Sequence, residues 1–298
     1  MARPDPQRLG SQEGDGRAAA VPPTLGPPTI MGIVNVTPDS FSDGGRYLDA
    51  GAAIAHGLAL AAEGAALVDI GGESTRPGAE PVAEAEELRR VIPVVAGLRD
   101  AGLSAAISID TSKVAVARAA LDAGATLVND VTAFRDEPEL AALVAERGAD
   151  CCLMHMRGEP RTMQSAPLYD DVVGEVLAFL ERRVEYAIAA GIARERILID
   201  PGIGFGKTVE HNLALLARLD ELTVLGLPIL IGPSRKSFLG RITGRMTDDR
   251  LAATIATCVL ALERGASVFR VHDVRPVADA LAVAAATVNG RWKTTPTS

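Results

Sequence analysis

Hydrophobic and polar positions in this chain come in blocks. Short apolar runs stand at 29–34, 66–70, 105–109, 126–128, 150–154, 196–199, 227–231 and 267–271, each giving way to a polar or Gly-rich stretch. Ala/Leu-rich segments with helical spacing follow, near 50–63, 83–100, 112–123, 137–147, 170–190, 210–219, 248–264 and 275–287. An apolar run this short, bounded by turn formers, predicts a strand buried on both faces, and the longer periodic segments predict amphipathic helices. Asp110, Thr111 and Ser112 offer a cap to the third helix, which Gly124 stops. Thr247, Asp248 and Asp249 offer one to the helix from 251, which Gly265 stops. A loop and short helix, 233–245, stand between the seventh strand and its helix.

Eight strand-then-helix units without a compositional break predict a single-domain (β/α)8 TIM barrel of the α/β class, spanning 28–290. A doubly wound open sheet shares the local pattern and is the alternative. The first 28 residues hold six prolines and four glycines, so 1–27 is expected to be a disordered tail, and 291–298 a C-terminal tail.

What stands at the ends of the apolar runs turns the fold into a site. In order these are Asn35, Gly71-Gly72-Glu73, Asp110, Asn129-Asp130, His155, Asp200, Ser234-Arg235-Lys236 and His272-Asp273. In a parallel barrel such positions converge on one face, where the active sites of this architecture lie. Asp110, Asn129 and Asp200 would place acceptors and donors in one cavity, and buried carboxylates are costly without partners, so a polar ligand with matching edges is implied. Arg76, Arg235, Lys236, Arg270 and His272 add positive groups at the same mouth, which suits an anion. The loop 36–45 is rich in Asp, Ser, Pro and Gly and carries Phe41, as a mobile cover would.

Bulk composition narrows the partners. Hydrophobic residues make up 48% and aromatic residues only 3%, which suits helices packed on a parallel sheet. A formal charge of -8 disfavours nucleic acid and anionic membranes, and no apolar run reaches the length of a spanning helix. Three cysteines (Cys151, Cys152, Cys258) make no disulfide framework and fit a reducing cytoplasm.

Two tempting motifs fail on spacing. The P-loop pattern would need Gly where Pro201 stands before Gly206-Lys207-Thr208; a flexible loop exposing Phe205 to a ligand fits better. The histidines (His56, His155, His211, His272) lack zinc spacing, whereas an oxygen-ligated Mg2+ on Asn35 and a ligand phosphate is compatible with the chain.

Seven blocks in order carry a resemblance. They are residues 31–45, Asp69-Ile70-Gly71-Gly72-Glu73-Ser74-Thr75-Arg76-Pro77-Gly78, Ile109-Asp110-Thr111, Asn129-Asp130-Val131, Asp200 to Lys207, Ser234-Arg235-Lys236-Ser237 and Arg270-Val271-His272-Asp273. From about 30 to 288 the chain resembles the dihydropteroate synthase family of folate biosynthesis, the target of sulfonamides. The resemblance implies a homodimeric (β/α)8 barrel that joins 6-hydroxymethyl-7,8-dihydropterin diphosphate to 4-aminobenzoate. It implies that Asp110, Asn129, Asp200 and Lys236 bind the pterin edges. Arg270 would stack on the ring and, with His272 and Asn35, hold the diphosphate and its Mg2+. Thr75, Arg76, Pro77, Phe205, Lys236 and Ser237 would form the aminobenzoate pocket, and Phe41 and Asp43 would close over the reacting carbon. A pterin-dependent methyltransferase shares the barrel and the Asp/Asn site but needs neither Ser74-Thr75-Arg76-Pro77 nor Ser234-Arg235-Lys236-Ser237. A catalytically silent pterin-binding paralogue should have lost loop residues that are present here.

Overall fold

A computed structural model describes residues 27–37, 50–76, 78–158, 162–163 and 167–290. The expectations for the two termini, and those for Phe41, Asp43 and Pro77, lie outside these residues. The described chain forms eight strands: β1 (Thr29–Asn35), β2 (Leu67–Gly71), β3 (Ala106–Asp110), β4 (Leu127–Asp130), β5 (Asp150–Met154), β6 (Ile197–Asp200), β7 (Ile229–Ile231) and β8 (Ala266–Val271). Every neighbouring pair is parallel, and β8 returns to β1, so the sheet closes. Closure settles the alternative against the open doubly wound sheet.

The helices on the outside are α1 (Ala50–Ala62), α2 (Glu84–Asp100), α3 (Val114–Asp122), α4 (Glu139–Arg147), α5 (Val172–Ala189), α6 (Val209–Ala217), α7 (Ser237–Thr243), α8 (Leu251–Glu263) and α9 (Val274–Asn289). The extra helix, α7, is the one the 233–245 insertion predicts. Outward strand residues such as Val68, Ile107, Ile109, Leu153, Ile197 and Phe269 pack with helix residues such as Leu60, Leu98, Val144, Leu180 and Leu281 into the main core.

The two expected side-chain caps are absent. At α3, Val114 N–H donates to Glu137 Oε2 at 2.6 Å, and Lys113 N–H donates to Thr111 Oγ1 at 3.2 Å. Asp110 is drawn into the barrel instead. Before α8, Thr247–Asp249 form a 3-10 turn of their own, and Arg250 stands at the helix start with no side-chain cap.

Inside the barrel, Met31, Leu127, Cys152, Leu230 and Val268 form a buried layer, with Leu67 and Leu198 packed against it. Side chains two residues apart share a face of a strand. One such step toward the C-terminal ends therefore brings Asp69, Asn129, Met154, Asp200 and Arg270 over that apolar floor. The change from apolar floor to polar mouth takes a single pleat.

Candidate active site

The centre of the mouth is a guanidinium held by two carboxylates. Arg270 on β8 donates through Nε to Asp69 Oδ2 at 2.6 Å and through Nη2 to Asp110 Oδ2 at 2.7 Å. Asn129 Nδ2 donates to the same Asp69 oxygen at 3.2 Å. Asp69 is completely buried, and its Oδ1 has no hydrogen-bond partner among the described residues. Burial pushes the Asp110 carboxyl up to about 7, with Arg270 pulling the other way.

Sequence reasoning missed Asp69. It sits in the middle of an apolar run, Leu67-Val68-Asp69-Ile70, and not at its end. The available signal was the charge itself, because an Asp inside a strand buried on both faces needs a cationic partner.

Asp200 ends β6 on the other side of the cavity, and its Oδ1 accepts from Gly202 N–H at 2.7 Å. Burial raises its pKa, against the pull of Lys236. Lys236 leads into α7, lies with Nζ 4.1 Å from the centre of the Phe205 ring, and donates to the Ile203 carbonyl. Desolvation pushes its ammonium down to about 7 although the residue keeps some surface exposure. Met154, Met156 and Met163 form a buried apolar pad with Val131 and Phe205 packed on it.

Cations gather around His272. Its Nδ1 is 2.9 Å from Ser234 Oγ, and its backbone N–H donates to the same hydroxyl at 3.2 Å. Burial first, then Arg270, Arg235 and Arg76, push the imidazole down to about 4. At neutral pH it is therefore an uncharged donor or acceptor, in a field that Arg270, Arg235 and Arg76 make positive against the carboxylate of Asp273. Arg235 adopts the left-handed conformation, with φ 57°, and its side chain makes two bonds to Asp273, at 2.7 and 3.1 Å. Such a conformation costs of order 1 kcal/mol or more for a non-glycine residue and is commonly stored at functional sites. Its neighbours on either side, Ser234 and Lys236, meet His272 and Phe205.

Three other strand-end groups are tied to structural partners. Glu73 pairs with Lys113, which also pairs with the buried Glu87 of α2. Asp130 turns outward to accept from Thr132 N–H at 2.8 Å and Phe134 N–H at 2.6 Å. His155 faces Lys207. Asn35 ends β1 half-buried, beside Gly71 of β2. Thr75 is half-buried on the β2 exit loop, with Arg76 exposed beyond it. Ser237, the first residue of α7, is exposed next to Lys236.

The class defined by this barrel and its mouth is matched by a known family. The profile of the pterin binding enzymes covers residues 31–272. A dihydropteroate synthase of Synechocystis is 48% identical over 86% of this chain and 88% of its own. The Yersinia pestis dihydropteroate synthase, solved in complex with a sulfonamide drug, superposes with a TM-score of 0.83 at 45% identity, covering 87% of this chain and 94% of that one. That of Xanthomonas albilineans, solved with 4-aminobenzoic acid, superposes at 0.82 with 52% identity, covering 87% and 93%. The chain belongs to the dihydropteroate synthases, transferases of folate biosynthesis within the pterin-binding family. These relatives do not favour the methyltransferase or the silent paralogue.

Proposed function

We propose that this chain condenses 6-hydroxymethyl-7,8-dihydropterin diphosphate with 4-aminobenzoate, giving 7,8-dihydropteroate and diphosphate. The observation that carries this reading is the ring of opposed donors and acceptors over an apolar floor, made by Asp110, Asn129, Asp200 and Lys236 around Arg270. A flat heterocycle with amide, amine and ring N–H edges matches that ring. In this reading the carboxylates accept from the pterin, Asn129 and Lys236 complete its edges, and the Arg270 plane stacks on its face. The Asp69 and Asp110 bonds hold that plane in place before substrate arrives, which lowers the entropic cost of binding.

The diphosphate would sit at His272, where Arg270, Arg235 and Arg76 contribute positive charge. A Mg2+ ion would be held by Asn35, the phosphates and water, since Mg2+ commonly keeps several waters and takes few protein ligands. Asn35 suits such an ion because its amide supplies a hard oxygen at the mouth. When bound, the ion neutralises charge on the leaving group.

The methylene C–O bond breaks with its electron pair leaving on diphosphate, and the resulting cation is delocalised into the dihydropterin ring. The aminobenzoate nitrogen supplies the lone pair for the new C–N bond, and its proton passes to water or diphosphate. Asp110 and Asp200 set a negative potential beside the cation. Thr75, Arg76, Pro77, Phe205, Lys236 and Ser237 would hold the aminobenzoate, Phe41 and Asp43 would cover the reacting carbon, and sulfonamides would occupy the aminobenzoate pocket.

Burial of all three cysteines as free thiols supports a reducing cytoplasm, and no helix among the described residues is long and apolar enough to cross a membrane. Diphosphate release should require both aminobenzoate and Mg2+, measured by coupled phosphate release. Protein that binds the pterin diphosphate yet forms no dihydropteroate would overturn the proposal. A homodimer is part of it, supported by an apolar groove on the outer wall. The groove has a volume of about 480 Å³ and is lined by Leu213, Leu216, Phe238, Ile242, Ala256 and Leu260 of α6, α7 and α8.

A further inference from the structure

The proposed reaction leaves one buried amine without a role. Lys207, on the loop between β6 and α6, is only 3% exposed, and no carboxylate lies within ion-pairing distance of it among the described residues. Its Nζ instead reaches His155 Nδ1 at 2.9 Å, the Phe205 carbonyl at 3.0 Å and the His155 carbonyl at 3.4 Å. One carbonyl belongs to the exit of β5, and the other to the loop that presents the Phe205 ring.

The two segments are pressed together at two points. A Cβ on Gly202 would lie 1.9 Å from the His155 carbonyl oxygen, and one on Gly206 would lie 2.3 Å from that of Arg157, both at glycines with positive φ. Tyr169 closes the far side by donating its hydroxyl to the Gly206 carbonyl at 2.9 Å. His155 is held in turn by the edge of Phe179, with ring centres 4.9 Å apart. The aromatic ring of Phe205 is thus mounted on a backbone fastened to β5, and it faces the Lys236 ammonium at 4.1 Å.

We propose that Lys207 is a positioning residue for the aminobenzoate half of the reaction. It staples the Phe205 carbonyl to the β5 exit and so sets the Phe205–Lys236 contact. The inference rests on the proposed aminobenzoate pocket. A lysine is suited to the place because one flexible stem delivers several N–H donors to acceptors on two segments. Burying it without a carboxylate is costly, since desolvation works against the charged form, and burial does push the Lys207 pKa well down. A structure that tolerates this cost gains a loop fixed from beneath, out of reach of water.

The test is a steady-state comparison of Lys207→Met and Lys207→Gln with the wild-type chain, varying each substrate in turn. Lys207→Met should raise the KM for aminobenzoate about tenfold, with the KM for pterin diphosphate within twofold. Lys207→Gln, which keeps an N–H donor, should recover most of the loss. Sulfonamide affinity, read by calorimetry with the pterin site filled, should fall in parallel with the aminobenzoate KM. An unchanged aminobenzoate KM in Lys207→Met, or equal losses in both KM values, overturns the inference. Should Lys207→Met not fold, His155→Phe removes the Nδ1 partner and keeps the ring packing; its aminobenzoate KM should rise about threefold, and an unchanged value overturns the inference equally. A wild-type chain without turnover would refute the proposed reaction instead, so the two failures are distinguishable.

Discussion

At the scale of single residues, the site is governed by groups that share counter-charges. Arg270 serves Asp69 and Asp110 at once, so neither carboxylate is a free base and the guanidinium cannot swing away without stranding a buried charge. Asp110 and Asp200 were legible in the sequence because they end apolar runs; Asp69 was not, because it lies within one. His272 gives a test through stability. Its imidazole titrates near 6.5 when unfolded and near 4 in the fold. Between those values the unfolded chain holds the extra proton, so the contribution of His272 is present above 6.5 and is lost as pH falls toward 4. His155, pushed down to about 2, acts in the same sense, whereas Asp110, pushed up to about 7, acts in the opposite one. The overall slope mixes them, so the readout is a difference. His272→Gln should lose less stability than the wild type over that acid interval, by up to about 1.4 kcal/mol per pH unit, followed by thermal unfolding at each pH.

At the scale of elements, strand and helix positions were readable because a parallel barrel strand is apolar on both faces and its helix is periodic. The strand-end rule was only partly right about use. Glu73 and Asp130 stand where active-site groups stand but are tied to Lys113 and to the backbone of 132–134. Which way a terminal side chain turns depends on partners far away in the chain. The caps of α3 and α8 misled for a related reason. Local Asp, Ser and Thr suggested self-capping, yet α3 takes its acceptor from Glu137, 23 residues on. Glu137→Ala should therefore destabilise the fold by about 1 kcal/mol, as loss of a helix cap does, seen as a lower urea midpoint with an unchanged slope.

At the scale of the molecule, the barrel closes as the eight-unit rhythm predicted, but assembly was beyond the reach of periodicity. Leu213 is 45% exposed, Ile242 53% and Leu260 48%, all on one groove away from the mouth. Exposed apolar area of this kind marks contact surfaces. Leu260→Asp should shift the proposed dimer to monomer in sedimentation velocity, while the far-UV spectrum stays that of the folded barrel. The layer of Met31, Leu127, Cys152, Leu230 and Val268 has a further consequence. It corks the barrel from below, so the mouth is a blind alley with a single door. In the proposed site, the pterin against Asp69 and Arg270 goes in ahead of the aminobenzoate resting on Phe205. Under the proposed reaction the aminobenzoate enters last but leaves within the joined product, so diphosphate must clear the doorway before that product can follow.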